Sequence, residues 1–300
     1  MRAIFVFTPN EAKRLIAKAV VKMPEVKHAF QKTNLLIGHG STNIYLLEEL
    51  LGKEKFHKLM NPSTYLSGIT IKGILCTTDK DEKPPIILIK KGIITSPPGT
   101  MSEMMNDFKA DSVVIKGASA IDAEGNAAVM VSHPEGGTIG WSISTIVARG
   151  ICLIVPVGLE KMVPSVKQAV AAGGQERLDY AQGKKVGMIP MPTAKLVTEI
   201  EALKILTGVD AWHVASGGIN GSEGAVSIVA EGTPEAMDKT ITLCESVKGE
   251  PPINILKGIC ETCVDTSPVK SKGFDFRGVH KSCHFEGKKL EELPPYMQQR

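Results

Sequence analysis

Short aliphatic strands alternate with amphipathic helices through most of this chain, and this alternation constrains the fold more than any other feature. Asn34–Ile37, Ser112–Ile115 and Ile151–Val157 have the composition of buried strands. The segments between them carry apolar residues at helical spacing. Such an order predicts an α/β protein with a mostly parallel sheet that is covered by helices on both faces. Functional residues are then expected at the carboxyl ends of the strands, in the turns that lead into helices.

The composition narrows the class of protein. The chain has 300 residues, 43% hydrophobic and 22% charged, which excludes an intrinsically disordered chain. The formal net charge of +3 gives no electrostatic reason to expect a nucleic acid or a membrane surface as partner. The apolar runs are far shorter than the roughly 20 residues that cross a bilayer, and the apolar N-terminal stretch is too short for a secretory signal. The six cysteines are too sparse for a secreted disulfide framework, so we expect a cytoplasmic protein.

Three regions are predicted along the chain. Residues 1–208 carry the strand–helix alternation and form a ligand-binding domain, with a possible β excursion over 67–95. Residues 209–256 form a small α+β unit, and residues 257–300 form a hydrophilic tail with cysteine and histidine. The spacing of apolar residues predicts one helix over Thr193–Leu206.

A glycine-containing turn gives the strongest local signal. The strand Asn34–Ile37 runs into the turn Gly38–Asn43 and then into a leucine-rich helix. Amides at a helix start carry partial positive charge, and this arrangement favours a site for phosphate or another anion. The turn matches neither the dinucleotide fingerprint nor a P-loop, so no nicotinamide or flavin cofactor is expected. The alternative is an ordinary helix cap that contains glycine.

Three segments of the chain resemble one superfamily. The run Gly38-His39-Gly40-Ser41-Thr42 resembles the sugar-phosphate loop of ribose-5-phosphate isomerases, 111–126 resembles their second signature, and 151–163 resembles their strand-plus-lysine segment. CoA transferases, sugar-sensing transcription regulators and the lactate-utilisation (LUD) domain share these features, and the middle segments look closest to the LUD domain. The resemblance implies a Rossmann-like sheet that binds a phosphorylated sugar or a CoA-type ligand.

The chain departs from the isomerases where they carry the carboxylates that transfer protons between adjacent carbons. Lys116, Ser119 and Ala120 stand in those places, so enediol-type general-base chemistry has no agent there. Lys116 and Lys161 each follow an apolar strand and could hold an anion, whereas a solvated lysine is the alternative. Lys116 is also a candidate catalytic residue. The candidate ligand-binding residues are Gly38, His39, Gly40, Ser41, Thr42, Asn43, Lys116, Gly117, Ala118, Ser119 and Lys161.

Further candidates come from single residues. Glu223 lies in a Ser-Glu-Gly setting that resembles that of the acyl-accepting glutamate in some CoA transferases, where a carboxylate can form an anhydride or a thioester. A polar hairpin turn explains the same segment equally well. His39 could donate to a phosphate or exchange protons near neutral pH, and His133 could face the same cleft. His213 alternates with apolar residues and is expected to be structural.

The tail has the spacing of metal ligands. Two residues separate Cys260 from Cys263, so both thiolates can reach one ion. Cys283 with His284, or with His280 instead, would complete a tetrahedral zinc site that also orders the tail. Free thiols or a redox pair are the alternatives.

These observations lead to an enzyme that acts on a phosphorylated sugar or an acyl group bound in the cleft. A non-catalytic ligand-binding or sensor protein of the LUD type is an alternative, because the isomerase carboxylates are missing. A CoA transferase that uses Glu223 is another, and an interaction protein with a metal-binding tail a third. The expected partner is a small phosphorylated or CoA-bearing ligand, and a homo-oligomer is left open.

Overall fold

A computed structural model describes residues 1–79, 81–95, 101–263, 270–271, 274–275 and 283–298. The strands are β1 (Arg2–Phe7), β2 (Asn34–Ile37), β3 (Gly68–Ile71), β4 (Ile74–Thr77), β5 (Ile87–Lys90), β6 (Ile93–Thr95), β7 (Val113–Ile115), β8 (Ala120–Ile121), β9 (Ala127–Val131), β10 (Cys152–Pro156), β11 (Gly187–Pro190), β12 (Lys195–Val197), β13 (Asp210–Ser216), β14 (Val226–Glu231), β15 (Lys270–Ser271) and β16 (Phe274–Asp275). The helices are α1 (Pro9–Val20), α2 (Pro24–Lys32), α3 (Ser41–Leu51), α4 (Lys53–Leu59), α5 (Met101–Met104), α6 (Gly137–Arg149), α7 (Val166–Ala172), α8 (Glu199–Thr207), α9 (Pro234–Val247) and α10 (Pro295–Gln298).

A mixed six-stranded sheet lies at the centre of the fold, in the order β12-β10-β7-β2-β5-β6. Strands β2, β7, β10 and β12 are parallel, and β5 and β6 add an antiparallel edge. Helices occur in each of the connections between successive parallel strands, as parallel pairing requires a crossover. Leu35, Leu36 and Ile37 of β2 are all fully buried, so both faces of this strand are covered. The prediction of an α/β fold with parallel strands is confirmed at this level.

The β excursion predicted over 67–95 is only partly separate from the central sheet. Strands β3 and β4 form their own hairpin, whereas β5 pairs with β2 and extends the sheet. Both β3–β4 and β5–β6 are joined by a Lys-Gly turn in which lysine and glycine have positive φ, at Lys72-Gly73 and Lys91-Gly92. Such turns match the twist of a tight hairpin. Strand β5 joins the sheet because Ile87, Leu88 and Ile89 are apolar in succession and bury on both faces.

A second sheet brings the N-terminal strand together with two strands from the C-terminal half of the chain. Strand β1 pairs antiparallel with β14, which in turn pairs with β13, so the N-terminal strand completes the unit predicted over 209–256. One continuous apolar core includes Leu15 and Ile16 of α1, the strands of the central sheet, and Ile228 and Met237 of the C-terminal segment. Hydrogen bonds and packing therefore cross the boundary that was predicted at residue 208.

The helix expected over Thr193–Leu206 is shorter, and that prediction is wrong at its N-terminal end. Lys195–Val197 pairs with β10 as an edge strand, and the helix begins after Thr198. The Glu201 carboxylate accepts a hydrogen bond from the Thr198 amide at 2.8 Å, which closes a capping box. Gly208, with a φ of 80°, ends the helix as expected.

The remaining strands and the described part of the tail lie outside the central sheet. Strands β8, β9 and β11 form a third, antiparallel sheet. The described part of the tail packs through a small apolar cluster against Ile74 of β4, and its other large members are Phe285, Leu293 and Met297. Within the described ranges, none of the helices has the length and apolar character that a bilayer crossing requires.

Candidate functional site

A cleft of about 780 Å³ opens at the carboxyl edge of the parallel strands. The turn after β2, the segment Lys116–Ser119 after β7 and Lys161 after β10 all line it. Strand β9 and the start of α6 form another part of its wall. The cleft is therefore where the topology of an open α/β sheet places a ligand, and its volume is typical of a small-molecule site.

Residues 39–43 of the predicted turn line the cleft, and Gly38 lies outside the described lining. The two glycines of the turn do not supply the free amides. The Gly38 amide donates to Ile115 at 2.9 Å, and the Gly40 amide donates to Tyr65 at 3.3 Å. The Asn43 side chain fixes the turn by donating to the Gly38 carbonyl at 2.7 Å, and its buried Oδ1 has no hydrogen-bond partner among the described residues. The available donors are consequently the amides of Ser41, Thr42 and Asn43 at the start of α3, which have no protein acceptor among the described residues.

Gly38 serves a different purpose. A Cβ at this position would lie 2.8 Å from Cδ of Lys116. The glycine therefore makes room for the stem of a lysine that reaches the cleft from β7. The sequence indicated both residues as candidates, and only the structure shows that one of them accommodates the other.

Lys116 and Lys161 converge on the same part of the cleft. The Lys116 amine donates to the carbonyl of His39 at 3.3 Å, and the Lys161 amine donates to the carbonyl of Ala118 at 2.9 Å. Burial, and then the positive charge of Lys161, lower the pKa of Lys116 to about 8. These contacts place two cations next to the turn that precedes α3.

Two further lysines that the sequence did not single out line the cleft. Lys13 comes from α1 and Lys184 from the segment before β11. Burial lowers the pKa of Lys13, against the opposing effect of Glu160. The described lining contains four lysines and no aspartate or glutamate. Their contribution could not be read from sequence, because neither belongs to a motif and the strand order alone brings them here.

The N-terminus of α6 provides a second helix start at the cleft. Gly136 caps this helix in the left-handed conformation, with a φ of 80°, and lines the cleft together with Gly137, Thr138 and Ile139. The partial positive charge of a 13-residue helix is thus added to that of α3. The candidate residues predicted from sequence did not include this helix start.

The histidines have structural surroundings. His39 is buried, its Nε2 lies 2.8 Å from the Pro84 carbonyl, and its ring packs on Tyr65. Burial lowers the pKa of His39 to about 4, so the ring is neutral at pH 7 and its Nε2–H donates to Pro84. A pKa this low does not fit the prediction that His39 exchanges protons near neutral pH. His133 lines the cleft as expected, with its ring against Trp141, while the His213 Nε2 lies 2.7 Å from Ser216 Oγ.

Glu223 is not brought to the cleft. It lies in the exposed loop after β13, and its carboxylate accepts a hydrogen bond from the Gly221 amide at 2.9 Å. Among the described residues it is absent from the cleft lining. The contacts correspond to the polar-turn interpretation, and no observation supports an acyl-accepting role.

The cysteines of the tail come together with a fourth that the sequence had not grouped with them. Cys76 of β4 lines a small second cavity with Cys260, Cys263 and Cys283. His284 instead packs its ring against Tyr180 and Phe285, and His280 lies outside the described residues.

The zinc site predicted for the tail stays a prediction. Among the residues that the structure describes, no group of three or more His, Cys, Asp or Glu side chains is arranged to hold a metal ion. Burial raises the pKa of the Cys76, Cys263 and Cys283 thiols. Apolar packing around Phe285 contributes to holding this part of the tail.

A buried carboxyl group beside the cleft predicts a pH dependence of stability. Burial, and then the carboxylate of Glu160, raise the pKa of Glu199 to about 8 from an ordinary 4.5. The unfolded chain releases this proton near its ordinary pKa, whereas the folded chain keeps it up to about pH 8. The contribution of Glu199 to the free energy of unfolding should therefore fall as the pH rises between these two values.

Chemical denaturation at a series of pH values measures this effect. We expect Glu199→Gln to flatten the decline, because the amide does not ionise. Glu245→Gln, at an exposed position of α9, is the matched control and should leave the pH profile unchanged. Equal profiles for the wild-type protein and Glu199→Gln would contradict the assignment.

The chain was also compared with known proteins. No family model, no curated protein and no solved structure matches it. The function is therefore argued from the geometry and chemistry of the cleft.

Proposed function

We propose that this protein binds a small phosphorylated ligand, of the sugar-phosphate or CoA type, in the cleft at the carboxyl edge of a Rossmann-like sheet, and acts on it as an enzyme. One observation carries the proposal: the described lining of the cleft has four lysines and the starts of two helices, and no carboxylate. Lysines and helix N-termini are the groups that proteins use to hold phosphate.

The arrangement of the donors favours an anion at one particular end. Lys161 lies close enough to influence the pKa of both Lys13 and Lys116, so three cations share that end of the cleft. The residues that carry the first amides of α3 line the same cleft. Without a ligand these like charges repel one another, and a dianion such as a phosphate monoester removes that repulsion.

An enzymatic role is favoured over a sensor by one feature. A group that titrates near neutral pH is useful for proton transfer or nucleophilic attack, and Lys116 is such a group within the cleft. Resemblance to the isomerase, CoA-transferase and LUD superfamily supports the same ligand class. A non-catalytic binding protein of the LUD type is the alternative, and it would bind without turnover.

Thermal unfolding in the presence of inorganic phosphate, ribose 5-phosphate and CoA tests the proposal. A ligand that binds only the folded state raises the apparent stability, so we expect higher melting temperatures with the phosphorylated compounds. Unphosphorylated ribose should give no shift. The absence of a shift with every phosphorylated compound would refute the proposal, and binding without any conversion of ribose 5-phosphate or CoA ester would favour the sensor.

Removal of one cation should weaken binding. A charge-assisted hydrogen bond contributes about 1.5–3 kcal/mol, so we expect Lys161→Met to raise the Kd for ribose 5-phosphate roughly 10-fold or more. The control is Lys204→Met on α8, an exposed lysine that pairs with Asp210. Titration calorimetry measures both, and equal affinities for the two variants would contradict the assigned role of Lys161.

A further inference from the structure

The amine of Lys116 is set apart from the other groups of the cleft by its surroundings. Its stem passes over Gly38, and its Nζ donates to the backbone oxygens of His39 at 3.3 Å and Gly117 at 3.5 Å. Among the described residues, no carboxylate forms an ion pair with it. Most lysines held inside a protein are compensated by an acid, whereas the half-buried Lys116 has two backbone carbonyl groups as its hydrogen-bond partners among the described residues.

These surroundings make the neutral form of the Lys116 amine more accessible than that of an exposed lysine. Burial disfavours the ammonium form, and the neighbouring cation Lys161 disfavours it further. His39, the other titratable side chain at this turn, is neutral at pH 7, so it supplies no charge that would stabilise the ammonium form of Lys116. A desolvated lysine beside a second cation is a recognised way to obtain a nucleophilic amine near neutral pH.

The position of the amine relates it to the anion site. The carbonyl that accepts its hydrogen bond belongs to His39, two residues before α3 begins at Ser41. A phosphate at the first amides of α3 and at Lys161 would therefore leave the adjoining carbon atoms of the ligand next to Lys116. The ligand that suits this arrangement has an electrophilic carbon a few bonds from its phosphate.

We propose that Lys116 is a nucleophile that forms an imine with a small phosphorylated aldehyde or ketone. The inference rests on the proposed function, because the phosphate site orients the carbonyl group.

The reaction balances without an oxidant or a reductant. The Nζ lone pair attacks the carbonyl carbon, and the carbonyl π electrons and one amine proton pass to the oxygen to give a carbinolamine. The hydroxyl group takes up one more proton and leaves as water, and the nitrogen lone pair forms the C=N bond of a protonated imine. The protonated imine keeps one N–H. The backbone oxygens of His39 and Gly117, which accept hydrogen bonds from the amine, are placed to accept a hydrogen bond from this N–H.

Reductive trapping tests the inference. The full-length protein is incubated with dihydroxyacetone phosphate or with glyceraldehyde 3-phosphate, and sodium borohydride is then added. We expect a stable mass increase on the intact chain, which peptide mass spectrometry assigns to Lys116. Unphosphorylated dihydroxyacetone at the same concentration should label Lys116 at least tenfold less.

Two variants separate the nucleophile from the cations around it. Lys116→Arg keeps a positive charge but has no nucleophilic amine at neutral pH, so it should lose the trapped adduct. Lys204→Arg on the exposed face of α8 should retain it. Trapping in the wild-type protein should increase as the pH rises through about 8, and in Lys161→Met the midpoint should move to higher pH because a neighbouring cation is removed.

The outcomes distinguish this inference from the proposed function. Phosphate-dependent thermal stabilisation without labelling of Lys116 by either probe overturns the imine and leaves the anion site standing. Labelling that is spread over surface lysines, or that persists in Lys116→Arg, also overturns it. If the phosphorylated probes neither stabilise the protein nor label it, both the imine and the proposed function fail.

Discussion

Replacement of Arg14 by alanine should lower the free energy of unfolding by about 3–5 kcal/mol, the range for breaking a buried ion pair. The guanidinium group is buried between α1, α3 and the segment after α9. It pairs with Glu48, with Glu49 at 3.0 Å and with Glu250 at 2.9 Å, and it lies over the ring of Tyr45. Without Arg14, the buried carboxylate of Glu48 keeps His57 as its close partner among the described residues, so a charge is left poorly compensated inside the protein.

Urea denaturation measures this effect, and the same helix offers a control. Lys18 lies one turn further along α1 and also faces Glu49, at 3.5 Å, but it is partly exposed. We expect Lys18→Ala to change the free energy of unfolding by less than about 1 kcal/mol. Glu48→Gln in the Arg14→Ala background should restore part of the stability, because it removes the uncompensated charge. Arg14→Ala as mild as Lys18→Ala would contradict the stabilising role of this cluster.

Replacement of Gly140 by alanine should destabilise the protein by about 1–3 kcal/mol, the cost of overpacking a filled site. In an ordinary helix the same change is stabilising by about 1 kcal/mol. Here a Cβ would overlap the carbonyl oxygen of Glu135 and would lie 3.4 Å from Cδ1 of Ile189. The backbone of the preceding turn blocks the methyl group, so the start of α6 has to move.

The effect should be visible both in stability and in ligand binding. Because Gly136 and Gly137 at the start of α6 line the cleft, the shift should also weaken the binding of ribose 5-phosphate. Ser144→Ala, at an exposed position of the same helix, is the control and should leave binding unchanged and raise stability slightly. A stabilised Gly140→Ala variant with wild-type affinity would show that the turn does not restrict α6.

Local sequence signals predicted turns and helix ends more reliably than they predicted which strands pair with each other. The turn after Asn34–Ile37 and the stop at Gly208 follow from short-range rules, and both are found where expected. The helix over Thr193–Leu206 was predicted too long, because apolar periodicity cannot distinguish a short edge strand from the first turn of a helix. The strand is specified by its pairing with β10, which is a non-local contact.

The candidate site shows the same division. Gly38–Asn43, Lys116–Ser119 and Lys161 were predicted to bind one ligand, and all of these residues except Gly38 line one cleft. The proton exchange expected of His39 does not fit, since burial against Tyr65 and the Pro84 carbonyl keeps the ring neutral. Its degree of burial depends on segments far away in the chain.

The amino-acid sequence by itself determined where the turn that we propose as an anion site would form, because the order of strand, glycine and helix start is a local property of the chain. Only the tertiary structure decided the charge of the cleft, since Lys13, Lys184 and the start of α6 approach it from distant segments. It likewise decided that Glu223 stays outside the cleft. The physical reason is that burial and Coulomb interactions depend on which segments meet in space, and a linear pattern does not contain that information.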